Sequence, residues 1–165
     1  MLLRAYERED SPVIAKWLRT ETELYQWSAD RYGFFPLKDY SIDEHYAPAI
    51  PTGRFIPLTM TGDDGKVTGH LIIRYPKEDD DSSVRFGFVI VDPELRGKGY
   101  GRELLSLAIE YVRNNLTAKR IDLGVFVNNP KAQKCYEAVG FKEFGEHFID
   151  TPFGNWRCVD LEMYL

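Results

Sequence analysis

Phe86-Gly87-Phe88-Val89-Ile90-Val91-Asp92-Pro93-Glu94-Leu95-Arg96-Gly97-Lys98-Gly99-Tyr100-Gly101-Arg102 is the stretch on which the fold turns. Its first six residues form a β-prone run that Asp92-Pro93 ends. Beyond it Leu104, Leu105, Ala108, Ile109 and Val112 recur at helical spacing. In between, Arg96-Gly97-Lys98-Gly99-Tyr100-Gly101 places glycine at alternate positions and removes the side chains that would hold a ligand off the backbone. The first amides of the following helix have no intrahelical partner, and the helix dipole favours negative charge there. A strand, a bare loop and a helix N-terminus in this order predict a phosphate cradle.

Two familiar phosphate loops do not fit. The P-loop string Gly-x4-Gly-Lys-Ser/Thr is absent. The dinucleotide fingerprint needs a third glycine three places after the second. That position is Arg102 counted from Gly97 and Gly99, and Leu104 counted from Gly99 and Gly101.

Working outward, Leu2 to Tyr6 predicts a short first strand. Asp10 or Ser11 can cap a helix with Pro12 at its first position, running through Val13, Ile14, Trp17 and Leu18. Thr20 to Pro51 is less regular and rich in aromatics, with a second helix within Ser41 to Ala49 that Ser41 caps and Glu44 completes. Arg54 to Thr61 and Val67 to Tyr75 form a hairpin about Asp63-Asp64-Gly65-Lys66. Glu78-Asp79-Asp80-Asp81 reads as a solvated acidic loop. Val84 to Val91, a helix reaching Leu116, the strand Arg120 to Val127 and a helix from Pro130 to Val139 follow, with Gly140 as C-cap. Phe141 to Asp150 and Trp156 to Tyr164 close the chain around a turn at Thr151-Pro152-Phe153-Gly154-Asn155. The order βαα, ββ, βαβα, ββ predicts one mixed α/β domain over residues 1–165, with antiparallel hairpins around a strand–loop–helix–strand centre.

The 165 residues, 44% apolar and 28% charged, are ordinary for a soluble globular chain. A formal net charge of −5 argues against general nucleic-acid binding, which needs basic surface to release counterions. No apolar run approaches a membrane span, and Arg4 and Glu7 break the N-terminus too early for a signal peptide. Cys135 and Cys158 make no disulfide framework or metal-ligand spacing. No membrane partner and no metal are therefore expected, and a reducing cytoplasm is the expected location.

Arg96-x-x-Gly99-x-Gly101 after Val91-Asp92-Pro93 resembles the acetyl-coenzyme A signature of the GNAT-type N-acetyltransferase superfamily, Gln/Arg-x-x-Gly-x-Gly/Ala. Downstream, Asn129-Pro130-Lys131-Ala132, Tyr136 and Gly140-Phe141 are similar to that family's Asn-x-x-Ala-x-x-x-Tyr-x-x-x-Gly-Phe pattern. The likeness is clearest from about Val84 to Phe144; Thr20 to Pro51 carries no assignable signature. The resemblance implies an α+β fold with a mostly antiparallel mixed sheet, flanked by helices, whose central parallel strands splay apart. It also implies acetyl-coenzyme A as co-substrate, its pyrophosphate on the amides around Gly97, Lys98, Gly99, Tyr100, Gly101 and Arg102. Arg96 and Arg102 would add charge. The pantetheine arm would lie along Val89, Ile90 and Val91 like an added strand, with Asn129 and Ala132 against it and Tyr136 as general acid toward the departing thiolate.

Periodicity alone offers another role for Tyr136: Ala132, Cys135, Tyr136 and Val139 form one helical stripe, so it can be a core tyrosine. Cys135 lies on that buried side without a neighbouring histidine, and Cys158 has no better support, so neither is expected to be a nucleophile. An amine acceptor must lose a proton to react. The family's usual glutamate is missing from Val84 to Val89, which leaves Asp122, Glu23, Asp30, His70 or a water as candidates for the base. The early aromatics and carboxylates, Glu21, Glu23, Tyr25, Trp27, Asp30, Tyr32, Phe34 and Phe35, suit a cationic amine or core packing. The closing hairpin at Trp156 packs against the sheet or against a second copy in a homodimer. The expected activity is acetyl transfer to a primary amine of a small molecule or protein N-terminus by direct attack in a ternary complex. The alternative is a coenzyme A-binding module without catalysis, and another acyl donor such as succinyl-coenzyme A is open.

Overall fold

A computed structural model describes every residue from Met1 to Leu165. The chain opens with β1 (Leu2–Ala5) and α1 (Asp10–Ala15). Asp10 and Ser11 were expected to cap α1; instead both lie inside it, and Pro12 is its third residue rather than its first. Their side chains are committed elsewhere. The Asp10 carboxylate takes two hydrogen bonds from Arg4 at 2.7 and 2.8 Å and one from the Thr59 hydroxyl at 2.9 Å. The Ser11 hydroxyl donates to the Asp39 carbonyl. The helix stops at Ala15, short of the expected Leu18, although Trp17 and Leu18 stay buried.

The irregular stretch contains a helix that was not anticipated, α2 (Glu21–Ser28), whose first turn is closed by the Glu23 N–H donating to Thr20 Oγ1 at 3.1 Å. In α3 (Ser41–Tyr46) the expected cap does not form, because Ser41 Oγ accepts from the Lys38 N–H and the helix ends before Ala49. The hairpin follows as β2 (Phe55–Thr61) and β3 (Val67–Arg74), then β4 (Ser83–Val91), α4 (Tyr100–Asn115), β5 (Arg120–Phe126) and α5 (Pro130–Ala138). The last two strands, β6 (Lys142–Thr151) and β7 (Gly154–Tyr164), extend further than expected, leaving only Pro152-Phe153 between them.

The seven strands form one sheet ordered β1-β2-β3-β4-β5-β7-β6, in which only β4 and β5 run parallel. Alternation along each strand sends side chains to two cores. Leu71, Ile73, Phe86, Ile121 and Leu161 meet α4 on one face. Ile72 and Ile90 meet Ile14, Leu24, Ile42 and Tyr46 of the first three helices on the other.

The central pair is incomplete. β4 and β5 pair at Ser83–Arg120, Val84–Ile121 and Arg85–Asp122, and then diverge. A bulge accompanies the divergence. His70 faces Ile90 and Ile72 faces Gly87, so Phe88 and Val89 together oppose Leu71. Phe88 adopts φ +50°, uncommon for any residue but glycine. A bulge bends its strand and increases twist, which carries the far half of β4 away from β5.

Candidate functional site

A cavity of about 690 Å³ fills the opening between the parted strands. Phe86 to Val91 form one wall and Leu123 to Val125 the other. The mouth is the glycine loop, with Arg96, Gly97, Gly99, Gly101 and Arg102 on its surface. α5 contributes Ala132, Cys135 and Tyr136, and α2 contributes Glu23, Gln26 and Trp27.

The glycines serve two purposes. Gly97 and Gly99 have φ of +76° and +91°, a region L side chains rarely adopt, and a Cβ on either would meet nothing within 4 Å. Gly101 is required by crowding: its Cβ would stand 3.0 Å from Cys135 Sγ, where α4 passes α5. Gly99 occupies the α4 N-cap, and the Glu103 N–H donates to the Gly99 carbonyl at 3.1 Å. The amides of Tyr100, Gly101 and Arg102 precede that bond and have no intrahelical acceptor. A diphosphate fits this geometry, since the cradle is one that side chains would distort or fill and its rim is cationic.

Not every expected residue reaches the cavity. Lys98 folds back, its Nζ donating to the Glu94 carbonyl at 3.0 Å, and Tyr100 packs toward the α4 core. Arg96 lines the mouth with its Nε donating to the Val91 carbonyl, and Glu23 stands 4.0 Å from its guanidinium. Asn129 is on the wall, but its side-chain oxygen accepts from the Ala132 N–H at 3.4 Å and caps α5. Two wall residues not singled out in sequence are Lys131 and Lys134. Their i, i+3 spacing just inside a helix puts both on one face and was the available signal.

The two readings of Tyr136 coexist. It is 7% exposed and belongs to the α4 core cluster, yet it borders the cavity. Burial pushes its phenol well above the usual value, so the hydroxyl keeps its proton. Cys135 also borders the cavity, with its thiol pushed up by burial. The proton excludes the thiolate that a nucleophile requires.

The base candidates separate cleanly. His70 is fully buried and off the cavity, Nε2 against the Tyr46 hydroxyl at 2.9 Å, and burial lowers it to about 3. Asp122 accepts from Arg85 and Arg120 at 2.6 Å each, at the last paired rung of β4 and β5. Asp30 is exposed beside Arg31. Glu23 alone of the four lines the cavity, one carboxylate oxygen accepting from the Arg19 N–H at 2.8 Å.

The closing hairpin packs on its own chain, Trp156 lying edge-on to Tyr25 and Phe126 at 5.4 and 5.1 Å. His147, Cys158 and Asp160 bring ligand-type atoms within 4.8 Å of one another, but Asp160 is engaged by the His147 ring at 2.9 Å and faces Arg85 at 3.7 Å. No helix is long and apolar enough to cross a membrane.

A parted parallel pair, a glycine-lined helix entrance and a tyrosine at the cleft define an acetyltransferase-type architecture. The family model for the acetyltransferase (GNAT) family matches residues 14–141, and the chain belongs to that family. A spermidine N(1)-acetyltransferase of Vibrio cholerae is 41% identical over 78 residues, 47% of this chain and 44% of that protein. The L-amino acid N-acetyltransferase AaaT of Escherichia coli is 37% identical over 79 residues, 48% of this chain and 49% of that protein. These matches span less than half the length of either curated relative. The crystal structure of the Vibrio cholerae spermidine N-acetyltransferase with CoA and spermine superposes with a TM-score of 0.78 at 26% identity, covering 99% of this chain and 94% of that one.

Proposed function

We propose that residues 1–165 form a single N-acetyltransferase domain that moves an acetyl group from acetyl-coenzyme A to a primary amine by direct attack in a ternary complex. The observation that carries this reading is the parting of β4 and β5 after Arg85 and Asp122, which opens a cleft running from the glycine loop to Tyr136. The free amides at Tyr100 to Arg102 hold the diphosphate, assisted by Arg96, Arg102, Lys131 and Lys134 at the rim. Backbone groups of Val89 to Val91, released from pairing with β5, receive the pantetheine arm as an added strand.

Acetyl-coenzyme A supplies an activated acyl carbon. The amine lone pair attacks that carbon, the new C–N bond forms and the C–S bond breaks with its electron pair leaving on sulfur. Tyr136, kept protonated by burial, donates its hydroxyl proton to the departing thiolate. Glu23, the carboxylate on the wall, accepts the proton lost by nitrogen directly or through water.

The test is release of free thiol on mixing the protein with acetyl-coenzyme A and a panel of primary amines, with the acetylated product identified by mass. Amine-dependent release is the expected result. Tight coenzyme binding with no release for any amine overturns the reading.

A further inference from the structure

We propose that His147, Cys158 and Asp160 form a binding site for a zinc-class divalent cation on the β6–β7 hairpin. The ion clips the edge strand to its neighbour behind the cleft wall.

Strand register assembles the three side chains. His147 on β6 lies directly opposite Cys158 on β7, and Asp160 is two residues further along β7, so all three belong to one face of the sheet. Asp160 stands in register between two glycines, Gly124 on β5 and Gly145 on β6. No Cβ crowds the carboxylate from either neighbour. At Gly124, a residue of the cleft wall, a Cβ would stand 3.2 Å from Cys158 Sγ and 3.4 Å from Asp160 Oδ1. The imidazole, thiol and carboxylate ligand atoms lie within 4.8 Å of one another. Ligands held tetrahedrally at about 2.0–2.3 Å from an ion stand roughly 3.3–3.6 Å apart. The cluster is therefore close to the spacing of a coordination shell, and side-chain torsions cover the difference.

The donor set selects the ion. Calcium and magnesium take oxygen ligands. One sulfur, one imidazole nitrogen and one carboxylate oxygen suit zinc and its neighbours in the first transition row. His147 is exposed, which gives the ion an approach from solvent and leaves the fourth position to water, whereas Cys158 is buried.

The bonds that Asp160 already makes are compatible with this role. It presents Oδ2 to His147 Nδ1 at 2.9 Å and Oδ1 to Arg85 at 3.7 Å. The ion replaces the first contact, the imidazole binding through Nδ1 with its proton on Nε2. The second contact persists and orients the carboxylate, as the groups behind metal ligands do. Asp122 holds the same Arg85 guanidinium at 2.6 Å and offsets its charge toward the ion. Burial and the Asp160 charge push the Cys158 thiol up, so it carries a proton until the ion arrives. On binding, the S–H bond breaks, the sulfur electron pair is given to the ion and the proton goes to solvent. Nothing is oxidised or reduced. A turn separates His147 from Cys158 in sequence, so no ligand spacing is visible there and only the register brings them together.

The test is titration of chelator-treated, reduced protein without a histidine tag, first with Co2+ and then with Zn2+. One equivalent of Co2+ is expected to give a near-ultraviolet thiolate-to-cobalt band with the visible bands of a tetrahedral ion. Zn2+ bleaches both, and Mg2+ does not. Cys158→Ser removes the near-ultraviolet band, His147→Gln weakens Co2+ binding at least tenfold, and Cys135→Ser keeps the parent spectrum. Zn2+ raises the Tm of the parent by several degrees and leaves that of His147→Gln unmoved. Because His147 is exposed, its variant decides the matter even if Cys158→Ser fails to fold. The proposal is overturned if Co2+ gives no thiolate band, if Cys135→Ser loses that band, or if His147→Gln binds Co2+ as tightly as the parent. None of these readouts depends on acetyl transfer.

Discussion

The Tyr46 hydroxyl and His70 Nε2 lie 2.9 Å apart in a fully buried pair whose rings stack at 5.7 Å. Burial lowers the imidazole to about 3, against roughly 6.5 in an unfolded chain. Below pH about 6.5 the unfolded chain therefore takes up a proton that the folded one refuses. Stability present above that pH is lost as the pH falls toward 3, by about 1.4 kcal/mol per unit from this group. Urea midpoints measured between pH 7 and 5 should fall accordingly, and His70→Gln should flatten the slope. An unchanged slope in that variant would place the acid sensitivity elsewhere.

The Arg4–Asp10 pair makes a different prediction. Burial opposes the Asp10 charge, but the Arg4 guanidinium, the Glu7 N–H and the Thr59 hydroxyl outweigh it and keep the carboxyl below its usual range. Removing one partner leaves the other unpaired, and Asp10 is only 3% exposed. Asp10→Ala should cost about 3 kcal/mol in chemical denaturation, while Arg8, whose guanidinium is 59% exposed beside Asp43, should tolerate alanine with a loss under about 1 kcal/mol.

At the cleft mouth, Gly99→Glu adds a side chain and a negative charge where φ is +91° and the first amides of α4 lack intrahelical acceptors. Gly101→Glu also forces Cys135 to move. Both variants should abolish coenzyme A binding in calorimetry. Affinity equal to the parent protein would reject the assignment of this loop to phosphate.

For Tyr136→Phe the expected outcome is a fall in kcat of about a hundredfold or more with coenzyme Kd nearly unchanged, the pattern of a lost proton donor. Parallel losses in melting temperature and Kd with kcat preserved would return Tyr136 to a packing role. Steady-state kinetics and a thermal melt on the same preparation separate the two.

Much of this architecture was readable in sequence where local signals and tertiary demands coincide. The run Phe86 to Val91, the glycines and the Leu104 to Val112 stripe each specify one conformation, and the long helix and its flanking strands lie where they pointed. Caps failed because their side chains had other partners: Asp10 with Arg4 on β1 and with Thr59, 49 residues on, and Ser41 with the Lys38 N–H of the turn before it. α2 was hidden by its mixed polarity, although Thr20 three residues before Glu23 carried the signal. The φ of Phe88 and the bulge it sits in depend on which strands become neighbours, and no local pattern encodes that.

Because the ladder between β4 and β5 stops after Arg85 and Asp122, the sheet is two leaves joined at one corner. Arg85, Asp122, Arg120 and Glu162 form a chain of charged bonds there, each 2.6 Å long, that rivets the corner. Whatever wedges between the leaves works against that rivet with the length of both strands as its lever. The closed end is thus held by side chains that do not line the cleft.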